Sequence, residues 1–325
     1  MPFHRLSPRV RTALAICFLA AVSAPSAASC GSAYCTLMTD RYAQGTGEPH
    51  LGWSGQIRFE ALTQDRLRSG TRNIGAADVT GEDTIERRTR NLNVFTDVSY
   101  GLDEAWSFTL RLPVVHRDHE HDLLDEEGGP STRERWKFTR LGDVQLLARH
   151  QALMDDRATS YALFGGLKLP TGSRAITNDQ GVRAERALQP GSGTTDIVIG
   201  MAARRAVGGA DAVFGQARAA WALNSREDFR PGARYEVATG WSHAFSQGIG
   251  ATVQLNLRQK GRDKGVQAEP DLSGSTTLDI SPGATLATGS DSTLYAYLQL
   301  PLYQRVNGTQ LVPRAGFAVG WTKDF

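Results

Sequence analysis

After residue 50 the chain alternates apolar and polar side chains with a period of two, again and again, and no apolar run approaches the ~18 residues that a membrane-crossing helix requires. Successive side chains of an extended strand face opposite ways, so such a segment has one oily face and one wet face. From 249 to 260 the oily row is Ile249, Ala251, Val253, Leu255 and Leu257, and the wet row includes Thr252, Gln254, Asn256, Arg258 and Lys260. From 293 to 303, Leu294, Ala296, Leu298, Leu300 and Leu302 oppose Tyr295, Tyr297 and Gln299. The last stretch, 311 to 325, sends Phe317, Val319, Trp321 and Phe325 one way. Weaker copies at 51–62, 90–101, 106–117, 136–151, 160–169, 195–206, 211–222, 234–245 and 276–288 bring the count to about twelve. Each is about ten residues, the length at which a tilted strand spans a bilayer.

The connections give a second signal, because they alternate. Segments 63–89, 118–135, 170–194, 223–233, 261–275 and 304–310 are long or medium and rich in Asp, Glu, Arg, Gly and Pro, whereas 102–105, 152–159, 207–210, 246–247 and 289–291 are short. Outer-membrane barrels have short periplasmic turns and longer outer loops, so this register places both termini in the periplasm. All six Trp fall at predicted strand ends, with Trp53, Trp106, Trp241 and Trp321 at the short-turn side and Trp136 and Trp221 at the other, as two aromatic girdles would. A soluble sandwich or lipocalin-like barrel also alternates, but its oily faces fill a core and favour Val, Ile and Phe over the Ala and Gly seen here. The fold class read from the sequence is therefore all-β: a transmembrane antiparallel up-and-down β-barrel of about 12 strands spanning 51–325.

The first residues read differently. Arg5, Arg9 and Arg11 precede the apolar run 13–24 and the small residues 25–29, the pattern of a secretory signal peptide over 1–29, with cleavage expected after Ala28 or Ser29. Its removal takes three of 36 basic residues and none of 34 acidic ones, leaving a near-neutral mature chain. That excludes the clustered cationic excess of a nucleic-acid binder. Residues 30–50 form a periplasmic segment whose CGSAYC run holds Cys30 and Cys35. In an oxidising compartment these are disulfide candidates, and a lipid-modified Cys30 or a soft-metal thiolate pair are the alternatives.

Phe325 after Phe317, Val319 and Trp321 resembles the C-terminal aromatic signal that outer-membrane proteins present to the barrel-assembly machinery. GLKLPTG at 166–172, LQPGSGTTD at 188–196, LNSREDFRPG at 223–232 and YQRVNGTQLVPR at 303–314 resemble the outer-membrane transporters grouped under phenol meta-pathway degradation, over about residues 36–325. Relatives of that family often carry a denser cysteine cluster near the mature N-terminus, of which CGSAYC is a depleted version. The resemblance implies outer-membrane transport without fixing a phenolic substrate.

If the oily rows meet lipid, parity sends Arg58, Arg111, Arg149, Lys168, Arg204, Arg218, Arg234, Arg258, Lys260 and Arg314 into the lumen, with Glu60, Asp97, Asp143, Asp196, Glu236, Asp279 and Asp324. Charges in a narrow path set ion preference, and the cationic excess suggests a mild preference for anionic or polar solutes. A bracing ladder of Arg and carboxylate pairs reads the same residues equally well. The run HRDHEHD at 116–122 is the one dense ligand cluster, with His116, His119 and His121 as candidate ligands for zinc, copper or nickel. A hydrated charged loop is the plainer reading. GSG at 191–193 lacks the Lys and helix of a phosphate loop and reads as a turn. No GxSxG elbow accompanies His150 or His243, so no enzyme is expected, and no cofactor. The length excludes a barrel of ~22 strands with a plug. The expected function is passive passage of a small solute, with anionic and aromatic solutes as the candidate classes. A non-conducting scaffold or metal-associated surface protein is the alternative. The expected partners are outer-membrane lipid, the assembly machinery and the solute.

Overall fold

The computed structural model describes residues 51–80, 82–125, 129–154, 158–245 and 248–325. The expected signal peptide, the 30–50 segment, Cys30 and Cys35 lie outside these residues. Fourteen strands run in chain order: β1 (Gly52–Ser69), β2 (Arg72–Asn73), β3 (Thr84–Gly101), β4 (Trp106–Leu124), β5 (Pro130–Leu141), β6 (Gln145–Leu153), β7 (Thr159–Lys168), β8 (Asp196–Gly208), β9 (Asp211–Ala222), β10 (Arg234–Ala244), β11 (Ile249–Lys260), β12 (Ser275–Ala287), β13 (Ser292–Val306) and β14 (Thr309–Asp324). Each pairs antiparallel with its neighbour, and β14 pairs back onto β1 from Ser54↔Asp324 to Ser69↔Thr309. Closure leaves no free edge along the shared height of the wall, as a sheet with a lipid-facing surface requires. Twelve strands close the barrel. β2 is a two-residue addition beside β1, and β5 pairs only with β4.

The alternation sorts the faces as the sequence indicates. Ile57, Phe59, Leu110, Leu163, Ile199, Val237, Leu255, Leu298 and Phe317 lie on the outward rows, most of them exposed, while Gln56, Arg58, Asp97, Gln254, Asn256 and Ser281 are buried on the inward rows. Several inward glycines lie beneath an aromatic ring of the adjacent strand. Phe164 covers Gly200, Phe214 covers Gly240, Tyr297 covers Gly283 and Tyr295 covers Gly320, each at a cross-strand register pair. A methyl on Gly320 would meet the Tyr295 ring at 2.3 Å, so only glycine permits this close inner seam.

The Phe325 N–H donates to the Trp53 carbonyl (2.9 Å), which puts both described ends of the barrel at the rim of the short turns. The longer connections crown the other rim. Four expectations need correction there, the first being the connection 63–89, of which 63–69 belong to β1 and 84–89 to β3. Residues 118–124 and 130–135 continue as strand, forming a hairpin that stands above the apolar band, because their charges alternate across two wet faces rather than one. The 304–310 connection is only a two-residue turn at Asn307 and Gly308, Gly308 having the positive φ of 57° that the turn demands. The strand expected over 136–151 is broken at 142–144 into β5 and β6.

Candidate functional site

The break between β5 and β6 frees Asp143 from the ladder, and the barrel uses it. The Asp143 carboxylate accepts from Lys168 Nζ (2.6 Å), from the Ser192 N–H and hydroxyl (2.9 Å each) and from the Gly172 N–H (3.0 Å). Lys168, 1% exposed, also donates to the Thr194 carbonyl (2.8 Å) and lies 3.3 Å from Asp196, which in turn pairs with Arg234 (3.1 Å). This buried knot ties together the two ends of the 169–195 loop. The backbones cross so closely that a methyl on Gly191 would sit 2.4 Å from the Gly172 carbonyl oxygen. Three sequence motifs thus meet at one place, since Glu227 of the third pairs with Arg183 of the loop (2.8 Å) and the buried Phe229 lies under the Arg186 guanidinium (5.1 Å).

So pinned, the loop folds over the inward face of the β4–β5 hairpin. Arg117 donates to the Leu188 carbonyl (2.6 Å), Trp136 Nε1 donates to the Val182 carbonyl (2.9 Å), and Ala184 and Leu188 pack on the Trp136 ring. Beneath them His119 shares a proton with Thr89 (2.8 Å), and His121 Nε2 meets Glu134 (3.0 Å), with Glu185 of the loop 3.9 Å from its Nδ1. Burial, with Glu269, Glu86, Glu134 and Glu82 close by, raises the Glu185 carboxyl well above the usual carboxylate range. His121 stands above the apolar band, and burial lowers its imidazole from the ordinary value, with Glu134 opposing.

At mid-height, Arg58 pairs with Glu60 (2.9 Å), Arg111 with Asp97 (2.7 Å), Arg218 with Glu236 (3.9 Å) and Arg258 with Asp279 (2.7 Å). The groups act on one another across the lumen as well. Glu60 feels Arg258 and Glu236, Asp97 feels Arg218, and Arg218 donates to Gln145 (2.9 Å) past two intervening strands. Four cations and four anions make this belt neutral. Lys260 lies higher, paired with Asp263 (2.9 Å). Arg149 and Arg204 lie on inward rows toward the short-turn rim, and Arg204 makes no ion pair among the described residues.

Two positions depart from simple parity. Arg314 falls where the β1–β14 register slips between Leu62, Gln64 and Arg66, and it pairs with Asp65 (3.1 Å) on an exposed flank, both side chains open to solvent. The extra residue of the bulge turns it away from the inward row. Trp136 is buried, 2% exposed, as an anchor for the loop, and is no part of an outer girdle. Of the histidine run, His119 and His121 face inward and His116 faces outward against Thr139 (2.7 Å), so the strand divides the three. Among the described residues no group of three or more His, Cys, Asp or Glu is arranged to hold a metal ion. The roles of Asp143, Glu185 and Trp136 in pinning the loop had no sequence signal beyond the motifs that flank it.

No family model and no curated relative matches the chain. The crystal structure of an outer membrane channel from Pseudomonas putida F1, 15% identical, aligns over 86% of this chain and 98% of that one with a TM-score of 0.61. The two share the fold of a closed antiparallel β-barrel. The toluene transporter TodX of Pseudomonas putida (8% identity, 93% and 99% covered, TM-score 0.46) and the CymD monoaromatic hydrocarbon channel (7%, 85% and 89%, 0.44) superpose more loosely.

Proposed function

We propose that this chain is a passive outer-membrane channel for a small solute, its termini in the periplasm and the 169–195 loop set as a constriction at the outer mouth. The observation that carries this reading is the closed wall with an oily outside and a charged inside, together with a loop tied down through the buried Lys168–Asp143 pair and packed on the inward face of the β4–β5 hairpin. A channel needs inward charges that attract without trapping, and the neutral belt of Arg58, Glu60, Asp97, Arg111, Arg218, Glu236, Arg258 and Asp279 provides paired dipoles rather than a net field. The residual preference falls to Arg204 at the short-turn end and favours anionic or polar solutes mildly. Kinship with the phenol meta-pathway transporters and an aromatic solute accord with the motifs converging on the loop base. Recognition of Phe325 by the barrel-assembly machinery accords with its position at the short-turn rim. The cross-lumen bond from Arg218 to Gln145 favours a second reading, a braced barrel that conducts nothing and serves as a scaffold. Planar-bilayer recording separates them: steady channel events with reversal potentials displaced toward anions support transport, and silence from a folded, inserted barrel refutes it.

A further inference from the structure

On the outer surface of β3, β4 and β5 the apolar band ends at the row Val94, Val114 and Leu141, and Leu92, His116 and Thr139 follow. Above this stand three cross-strand rows in which a carboxylate is held between two cations. They are Arg90, Asp118 and Lys137, then Arg88, Glu120 and Arg135, then Arg87, Asp122 and Arg133 at the bulge. Rows two residues apart are separated by ~7 Å along the strand. Six cations against three anions leave this patch at about three positive charges. The carboxylates are already engaged and largely covered: Asp118 by Arg135 (2.6 Å), Asp122 by Arg87 and Arg133 (2.7 Å each), Glu120 by Arg88 (3.3 Å). Arg90 and Lys137, in the row nearest the apolar band, are exposed and make no hydrogen bond or ion pair among the described residues. The opposite wall differs. Its corresponding outward row is Tyr235, Gln259, Thr276 and Arg305, with a single charge.

We infer that this outer face of β3 to β5 binds the phosphate-bearing headgroup of an anionic glycolipid in the outer leaflet, the acyl chains lying on Val94, Val114 and Leu141. The argument is one of position and charge. Guanidinium forks recognise phosphate oxygens bidentately, and basic residues bordering a bilayer's apolar zone draw anionic headgroups toward them. A soluble anion would gain the charges but not the adjoining apolar surface, whereas a lipid gains both. The three paired carboxylates hold the outer four arginines splayed and leave the lowest row open. This inference rests on membrane insertion and not on conduction, so a silent barrel would leave it standing.

The test is native mass spectrometry of the full mature barrel in detergent with added lipid A carrying two, one or no phosphates, and with inorganic phosphate as competitor. The unmodified protein should retain lipid A, more weakly as each phosphate is removed. The Arg90→Gln/Lys137→Gln variant should lose at least ~10-fold in retention, and Arg305→Gln on the opposite wall should lose nothing. Because the phosphate series uses the unmodified protein, a variant that fails to fold does not decide the matter. Equal retention of the phosphate-free lipid, equal retention by a folded double variant, or full displacement by millimolar inorganic phosphate would each overturn the inference.

Discussion

Replacing Asp143 by Asn tests whether the buried knot holds the outer loop in place. The wild-type carboxylate receives one ammonium, one hydroxyl and two backbone N–H groups within 2.6 to 3.0 Å. The amide keeps one acceptor oxygen, turns an NH2 toward groups that are themselves donors, and leaves the buried Lys168 with Asp196 at 3.3 Å, the Thr194 carbonyl and the Ser192 hydroxyl. Breaking a buried ion pair from one side costs ~3–5 kcal/mol. With Asp196 still beside the ammonium, the lower end, about 3 kcal/mol, is the appropriate figure. At ~1.4 kcal/mol per tenfold, the loop should open ~100-fold more often. Arg186 reports on this directly, because its side chain is 4% exposed in the closed loop. Tryptic cleavage after Arg186 should accelerate about 100-fold while the barrel keeps its folded, heat-modifiable mobility on a gel, and channel conductance should rise. Asp143→Asn/Lys168→Met should recover part of the protection, since no orphaned charge remains. An unchanged cleavage rate in folded Asp143→Asn protein would show that the loop is held by other contacts and that the reasoning from the knot is wrong.

Other outcomes follow from the same structure. Gly320→Ala should lower barrel stability by ~1–3 kcal/mol through overpacking against Tyr295, read as a lower thermal unfolding midpoint, and Tyr295→Leu should recover much of it. Arg204→Glu should move the reversal potential in a salt gradient toward cations, while neutral substitutions of the belt pair Arg58 and Glu60 together should not. The loop should also respond to pH. Glu185 has its carboxyl raised in the closed state by burial first and neighbouring glutamates second. The closed loop therefore holds a proton that the open loop releases, and its stability, greatest below the ordinary carboxylate value, is lost as pH rises toward the raised one. His121, lowered by burial, acts in the opposite sense below its ordinary 6.5, so the Glu185 effect stands alone above that. Conductance should rise as pH climbs from the ordinary carboxylate range through the raised Glu185 carboxyl, and Glu185→Gln should flatten the slope; a slope that persists in that variant would remove Glu185 from the account.

Much of the barrel was legible because one periodicity serves both the strand and its two solvents. At 211–222 and 249–260 the expected and observed strands coincide, since both rows are unambiguous and the flanking residues are turn formers. The outer ends were less legible. Above the apolar band both faces of a strand are wet, so the alternation at 118–124 and 130–135 vanishes from the hydropathy while the backbone pairing continues. A bulge erases parity too, which is why Arg314 is misplaced by counting alone.

The sequence by itself determined a closed sheet of about twelve short strands, which face is oily, and which rim carries the long loops, because these depend on local side-chain pattern and turn chemistry. Only the tertiary structure decided how the inward charges are matched. Lys168 with Asp143, Arg218 with Gln145 and Arg117 with Leu188 join residues 25, 73 and 71 positions apart, and their partnership depends on barrel curvature and loop crossing. A period of two tells each side chain which face to choose, but the closure of the wall decides whom it meets there.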